Sequence, residues 1–344
     1  MARYGKGDVL HGYKLLQDFQ LAGQCQWTFA SKDGEEFFLK KFDNPIYPVP
    51  TAPGSEKTKN FMRKQSDDFE KHHIAIMNAL KGKSVKGGNL IITLDFFREE
   101  SHFYKVTTRV NVAGVNIAAI SMLPYDKRIL VLLTVANSLK LLHQSGIVHG
   151  DLKPDNILIH KTEGDDYIAK LIDFDSSYFS MKPPLEVVGD PVYYSPELGS
   201  YIESSDKRTS HDLQLKSDIF ALGLIYHQYL TGKLPGYDSK KYKYAYAAVL
   251  DGTELSLSDS VPSRLTTLIW QMLKKDYNQR PDISQIMSYL KEDGDLIISD
   301  SPSLEGTGKL SIFKGGTTSS IPLESKPDKS KSEGKLSIFK GGTI

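Results

Sequence analysis

Long hydrophobic runs are missing from this chain of 344 residues. The most apolar stretch, residues 129–136, is too short to cross a bilayer and runs into Asn137, Ser138 and Lys140. The first ten residues lack the apolar core of a secretion signal. These two absences give the expectation of a cytoplasmic protein with no membrane partner. Cysteine is almost absent as well. Cys25 stands alone, which excludes an intrachain disulfide and a cysteine-built metal site. Neither sign of charge is in excess, since 43 Lys and Arg face 42 Asp and Glu for a net charge of +1. No nucleic-acid partner is therefore expected. What remains is ordinary for a globular protein, with 40% hydrophobic and 25% charged residues. The length allows two lobes with a sizeable buried core.

The patterning changes along the chain. The first hundred residues carry short strand-like runs. Residues 37–42 follow an Asp33-Gly34 turn, a hairpin signal, and residues 90–97 and 102–108 form a second pair. Between them, Phe69, Ile74, Met77 and Leu80 fall at helical spacing and predict a helix over residues 67–80. From Leu130 to Leu142 the pattern is that of a helix apolar round much of its circumference, ended by Gly146. A hairpin is expected at 157–159 and 169–172, and further helices at 217–230, 263–274 and 284–290. Residues 44–59, with Pro45, Pro48, Pro50 and Pro53, and the polar residues 199–216 read as inserted loops. This divides the chain into a β-rich lobe at 10–108, a mostly helical lobe at 109–293 and a Gly-, Ser-, Lys- and Pro-rich tail at 294–344, expected to be disordered.

The tail repeats itself. GKLSIFKGGT occurs at residues 308–317 and again at 334–343. Its apolar centre could add to a sheet edge of a partner, and Ser311 and Ser337 could accept phosphate. A duplicated linker without a role is the plainer reading.

The chemistry concentrates in His149-Gly150-Asp151-Leu152-Lys153-Pro154-Asp155-Asn156. Moving a phosphoryl group needs an acceptor for the hydroxyl proton, cations on the phosphates and metal ligands around them. Asp151 can take the proton, Lys153 can neutralise the transferred phosphate, and Asn156 can hold a Mg²⁺. Asp173, closing the apolar run Leu171-Ile172, can hold the Mg²⁺ that bridges the phosphates. Lys40, at the end of a strand in the first lobe, can reach a nucleotide's phosphates. Each residue alone is a weak signal; their order and placement make the set strong.

These motifs resemble the eukaryotic-like (Hanks-type) serine/threonine protein kinases over residues 10–293. HGDLKPDNIL is similar to the catalytic loop, and Leu171-Ile172-Asp173-Phe174-Asp175 to the metal motif that opens the activation segment. Ser195-Pro196-Glu197 resembles the motif that closes that segment. Ser217-Asp218-Ile219-Phe220-Ala221-Leu222-Gly223 resembles the helix beneath the loop, and Gln279-Arg280-Pro281 the late arginine motif. The resemblance implies an α+β bilobal fold with ATP between the lobes, Mg²⁺ with Mn²⁺ as a substitute, protein substrates, autophosphorylation, a Glu197–Arg280 pair, and Asp218 bonded to catalytic-loop backbone. Lys153 is typical of the serine/threonine members.

The pattern departs in five places. Gly23 alone remains where a glycine-rich loop would cover ATP, and Cys25 lies in that loop. The helix of the first lobe should offer Lys40 a glutamate. Alignment puts His73 there, and Glu70, one turn earlier, is the preferred partner. Gly150 replaces the arginine that gathers a phosphorylated activation segment, so activity is expected without phosphorylation of Ser176, Ser177 or Ser180. Asp175 replaces the glycine of the metal motif. Asp190 replaces a threonine that touches Asp151 and Lys153, and its carboxylate could reach Lys153. Gly150 and Asp175 are shared with choline and aminoglycoside kinases, one rival reading; a non-catalytic scaffold is the other.

Overall fold

Asp33 and Gly34 both take left-handed φ, 52° and 81°. A two-residue hairpin turn needs that geometry, and Asp-Gly supplies it at little cost. Across the turn β4 (Cys25–Lys32) pairs with β5 (Glu35–Phe42) from Lys32↔Glu35 to Cys25↔Phe42. The computed structural model describes residues 4–291 except 24, 84–88, 111–113, 185–186 and 205–206, together with 297–298 and 312–313. The hairpin is the centre of a seven-stranded antiparallel sheet in the order β1-β2-β4-β5-β7-β6, with β3 against β4. The other strands are β1 (Val9–Leu10), β2 (Tyr13–Leu15), β3 (Gln20–Ala22), β6 (Thr93–Glu99) and β7 (His102–Thr108). One face buries Leu10, Tyr13, Leu15, Leu39, Tyr104 and Val106 as a small core of its own.

The helix that the described residues of this lobe form, α1, runs Glu56–Leu80, eleven residues longer at its start than its apolar spacing predicts. The proline-rich stretch ends at Pro53. Ser55 then accepts a hydrogen bond from the Thr58 N–H and caps a proline-free run. Phe69 and Met77 pack against a core of Phe42, Phe96 and Phe103 on the sheet, while Ile76 and Leu80 join the core of the second lobe. The helix therefore touches both lobes.

The second lobe is built round α3 (Tyr125–His143), buried on nearly every side. Before it comes the short α2 (Ile117–Ser121), and after it β8 (Ile147–Val148). The hairpin β9 (Ile157–Lys161) and β10 (Tyr167–Leu171) packs on α3, and β11 (Tyr178–Phe179) pairs with β8. Then follow α4 (Pro196–Glu203), α5 (Leu215–Thr231), α6 (Ala245–Leu250), α7 (Ser263–Met272) and α8 (Ile283–Lys291). The expected loop at 199–216 is partly helical. Ser195 caps α4, Pro196 opens it, and a 3₁₀ turn follows at Lys207–Asp212. Gly199 lies in α4 because the ring of Tyr246 occupies the place of a Cβ, which would come within 2.2 Å.

A β-rich lobe and a mostly helical lobe thus make the expected α+β bilobal fold. The tail expected to be disordered, with both repeats, Ser311 and Ser337, lies outside the described residues except for a two-strand pairing. There β12 (Ile297–Ile298) runs antiparallel to β13 (Ile312–Phe313), the latter within the first repeat. Among the described residues no helix is long and apolar enough to cross a membrane.

Candidate active site

The loop after β8 is held from below by one buried carboxylate. Asp218 on α5 accepts from the His149 N–H at 2.8 Å and the Gly150 N–H at 3.2 Å, and lies 2.9 Å from His143 Nε2. A buried carboxylate bonded this way fixes the loop backbone to the core helices. Gly150 takes φ +79°, and a Cβ there would lie 2.4 Å from the backbone oxygen of Ser176. The activation segment runs directly against the catalytic loop, which leaves no room for a side chain. Ser177 Oγ donates to the His149 carbonyl at 3.0 Å, and His72 on α1 lies 2.7 Å from the Ser177 carbonyl. Ser177 and Ser180 are buried.

Three donors converge on Asp151. Lys153 Nζ is 2.9 Å and Asn156 Nδ2 3.1 Å from Oδ2, while the Asp190 N–H donates to Oδ1 at 2.9 Å. Asn156 also donates to the Asp151 carbonyl at 2.8 Å. Pro154 opens the 3₁₀ turn Pro154–Asn156 that folds Asn156 back toward Asp151. Asp190 thus reaches Asp151 through its backbone. Its own carboxylate accepts from the Val192 N–H rather than reaching Lys153.

Asp173 follows β10 with φ +58°, a left-handed conformation uncommon outside glycine. Backbone bonds lock its approach: Ile172 N–H donates to Asn156 O at 3.0 Å, and Leu171 is bonded on its outer side to residues 89 and 91. Phe174 is buried 5.5 Å from the His149 ring. Lys40 Nζ lies 3.1 Å from Asp173 and 2.6 Å from Asp175. Burial works against its charge, but Asp175 and then Asp173 hold its pKa above the ordinary lysine value. A second lysine, Lys105 on β7, directly opposite Lys40 in the sheet register, pairs with Asp173 at 2.9 Å and also with Asp175. Although burial opposes the charge on Asp173, the two lysines hold its carboxyl well below the usual range.

Glu70 is half-buried on α1, and the carboxylates that pair with Lys40 are Asp173 and Asp175 instead. The residue of α1 turned inward here is His73, stacked on Phe96 at 4.7 Å and buried, with its pKa lowered to about 4 by that burial. Lys105 is not among the site residues that the sequence motifs point to. Its signal is a lysine inside an otherwise apolar strand, Phe103-Tyr104-Lys105-Val106, where a buried charge calls for a partner. Gly23 turns the β3–β4 hairpin with φ +59°, next to the Ala22↔Cys25 pair. Cys25 is half-buried, its thiol donating to Ala22 O at 3.0 Å, and burial pushes its pKa up.

Behind the site, Arg280 makes a two-pronged pair with Glu197, at 2.7 and 2.8 Å. Its remaining N–H groups go to the carbonyls of Lys216, Lys274 and Lys275. Ser217 also donates to Glu197. This pair joins the end of the activation segment to the late helices.

The description "protein kinase domain" matches residues 57–290, more than half of the chain. The chain belongs to the protein kinase family. Among its relatives, the chain is 28% identical over 223 residues to serine/threonine-protein kinase PSK2 of Saccharomyces cerevisiae, covering 62% of this chain and 18% of that one. It is 30% identical over 194 residues to the ovarian-specific serine/threonine-protein kinase Lok of Drosophila melanogaster, covering 53% and 36%. It is 29% identical over 170 residues to serine/threonine-protein kinase nekl-2 of Caenorhabditis elegans, covering 49% and 42%. The matched regions span less than half the length of these three relatives.

Two side-chain groups suit Mg²⁺, a hard cation that takes oxygen ligands from a few protein groups and the substrate's phosphates. They are the Asp173 carboxylate and Oδ1 of Asn156, whose amide nitrogen is already committed to Asp151.

Proposed function

We propose that the chain is an ATP-dependent protein kinase that transfers the γ-phosphate to serine and threonine hydroxyls of proteins, its own included. The observation that carries this reading is the Asp151 carboxylate, oriented by Lys153, Asn156 and the Asp190 N–H on a loop anchored to Asp218. In the transfer, the hydroxyl oxygen of the acceptor attacks the γ-phosphorus. The bond from that phosphorus to the oxygen bridging the β-phosphate breaks, and ADP leaves. Asp151 accepts the hydroxyl proton. Lys153 beside it stabilises negative charge on the moving group, and Lys40 orients the nucleotide's phosphates under the hairpin turned by Gly23. Asn156 and Asp173 would hold Mg²⁺, or Mn²⁺ in its place, which would supply positive charge against the phosphates. The ATP site lies between lobes at 10–108 and 109–293, and the setting is cytoplasmic. The tail repeats around Ser311 and Ser337 serve a partner or accept phosphate.

The serine/threonine assignment rests on Lys153, and the protein-substrate assignment on the Glu197–Arg280 pair that fixes the end of the activation segment. Transfer of radiolabelled phosphate from ATP to protein, followed by mapping of labelled residues in wild type and Asp151→Ala, tests both. Label on serine and threonine, lost in the variant, is expected. Label on tyrosine alone would overturn the specificity. Label on choline or an aminoglycoside with none on protein would overturn the reading itself.

A further inference from the structure

Four charges close a ring at the metal motif. Lys40 and Lys105 each pair with both Asp173 and Asp175, so every cation meets every anion. Lys105 is 4% exposed, and among the described residues its acceptors are those two carboxylates. A buried ammonium in this setting is stable only while it is paired. Asp173 is the carboxylate placed to bind the metal, so its share in this ring competes with the metal. Asp175 has no such second duty. On α1 the residue turned inward is His73, packed among Phe42, Phe69 and Phe96, and it offers no anion.

We propose that Asp175 is the positioning residue of Lys40. From the metal motif it supplies the carboxylate that orients the nucleotide-binding lysine, with Lys105 as its fixed buried counter-ion. The consequence is mechanical. Lys40 is tied across the cleft to the segment that also carries Asp173, so its orientation does not depend on where α1 sits. When the metal draws Asp173 toward the phosphates, Asp175 keeps its bonds to both Lys40 and Lys105, so neither buried ammonium is stranded. This inference rests on the kinase reading above.

The test moves the carboxylate. Asp175→Gly removes it, and Asp175→Gly with His73→Glu puts it back from the helix at unchanged net charge. Three quantities are measured: the melting temperature, the Kd for a fluorescent ATP analogue, and kcat and KM for ATP. Asp175→Gly is expected to raise Kd and KM by about tenfold, the loss of one charge-assisted bond, with a smaller fall in kcat. The double variant is expected to return Kd to within about threefold of wild type. A role confined to stability would lower the melting temperature and leave Kd of the folded fraction unmoved, which would overturn the inference. So would a double variant that binds no more tightly than Asp175→Gly. If Asp175→Gly does not fold, the double variant is read against wild type. Recovered folding with near wild-type Kd supports the inference, and a folded double with weak binding, or one that stays unfolded, overturns it. Wild type that binds the analogue but phosphorylates no protein would instead sink the kinase reading and leave the role of Asp175 standing.

Discussion

Replacing Arg280 by methionine should destabilise the folded chain more than any other single change at the activation-segment anchor. The Arg280 side chain is fully buried and Glu197 almost so, with 0% and 7% exposure. Methionine roughly keeps the volume but removes both prongs of the ion pair. Glu197 is left with the Ser217 hydroxyl as its remaining donor, and the carbonyls of Lys216, Lys274 and Lys275 lose a partner. Removing one partner of a buried, hydrogen-bonded ion pair costs about 3–5 kcal/mol, because the other charge stays buried without compensation. For a domain of this size that corresponds to a fall on the order of 10 °C in melting temperature. Glu197→Gln should cost less, about 1.5–3 kcal/mol, since the amide oxygen still accepts from Arg280 and the three carbonyls keep their donors. Urea unfolding followed by fluorescence of Trp27 and Trp270 reads both variants. A loss under about 1 kcal/mol for Arg280→Met, the size of an exposed pair, would refute the reasoning.

Gly150→Arg should cut turnover and stability together, because φ is +79° and a Cβ would meet the Ser176 oxygen at 2.4 Å; an active, stable variant would show that the two segments need not touch. Exhaustive phosphatase treatment should leave the rate of transfer to a generic substrate within about twofold, since backbone and hydroxyl contacts hold the segment without a phosphate; abolished activity would contradict this. His73 is buried neutral with a pKa of about 4, below its ordinary 6.5. The unfolded chain therefore binds a proton that the folded chain refuses, and stability present above pH 6.5 is lost as pH falls through that window, by on the order of 3 kcal/mol. His73→Phe, which keeps the ring packing, should flatten this slope, and an unchanged slope would assign it elsewhere. A chain ending at Asp293 should retain transfer to a generic substrate, and its inactivity would make the tail part of the catalytic unit.

The catalytic loop was legible because its parts are local. Asp151, Lys153 and Asn156 sit within six residues, and Pro154 dictates the turn that folds them together. The Glu197–Arg280 pair, 83 residues apart, was legible through the resemblance alone; no spacing rule links a helix start to a loop so distant. The ring at the metal motif was not legible. Whether Lys105 points into the cleft depends on strand register, and a shift of one residue would reverse it. Glu70 was preferred for Lys40 on helical spacing, which says which residues share a face but not which face meets the cleft. The aromatic packing round His73 decides that. The early start of α1 was hidden by the prolines, whose influence ends at Pro53, two residues before the Ser55 cap.

The central claim is that Asp151 takes the acceptor's proton on a loop that folds and binds nucleotide without it. Single-turnover phosphate transfer by wild type and Asp151→Asn, with ATP affinity measured in parallel, tests this most directly. Transfer should fall by about a hundredfold or more while nucleotide Kd stays within about twofold. Transfer at an undiminished rate in Asp151→Asn would contradict it.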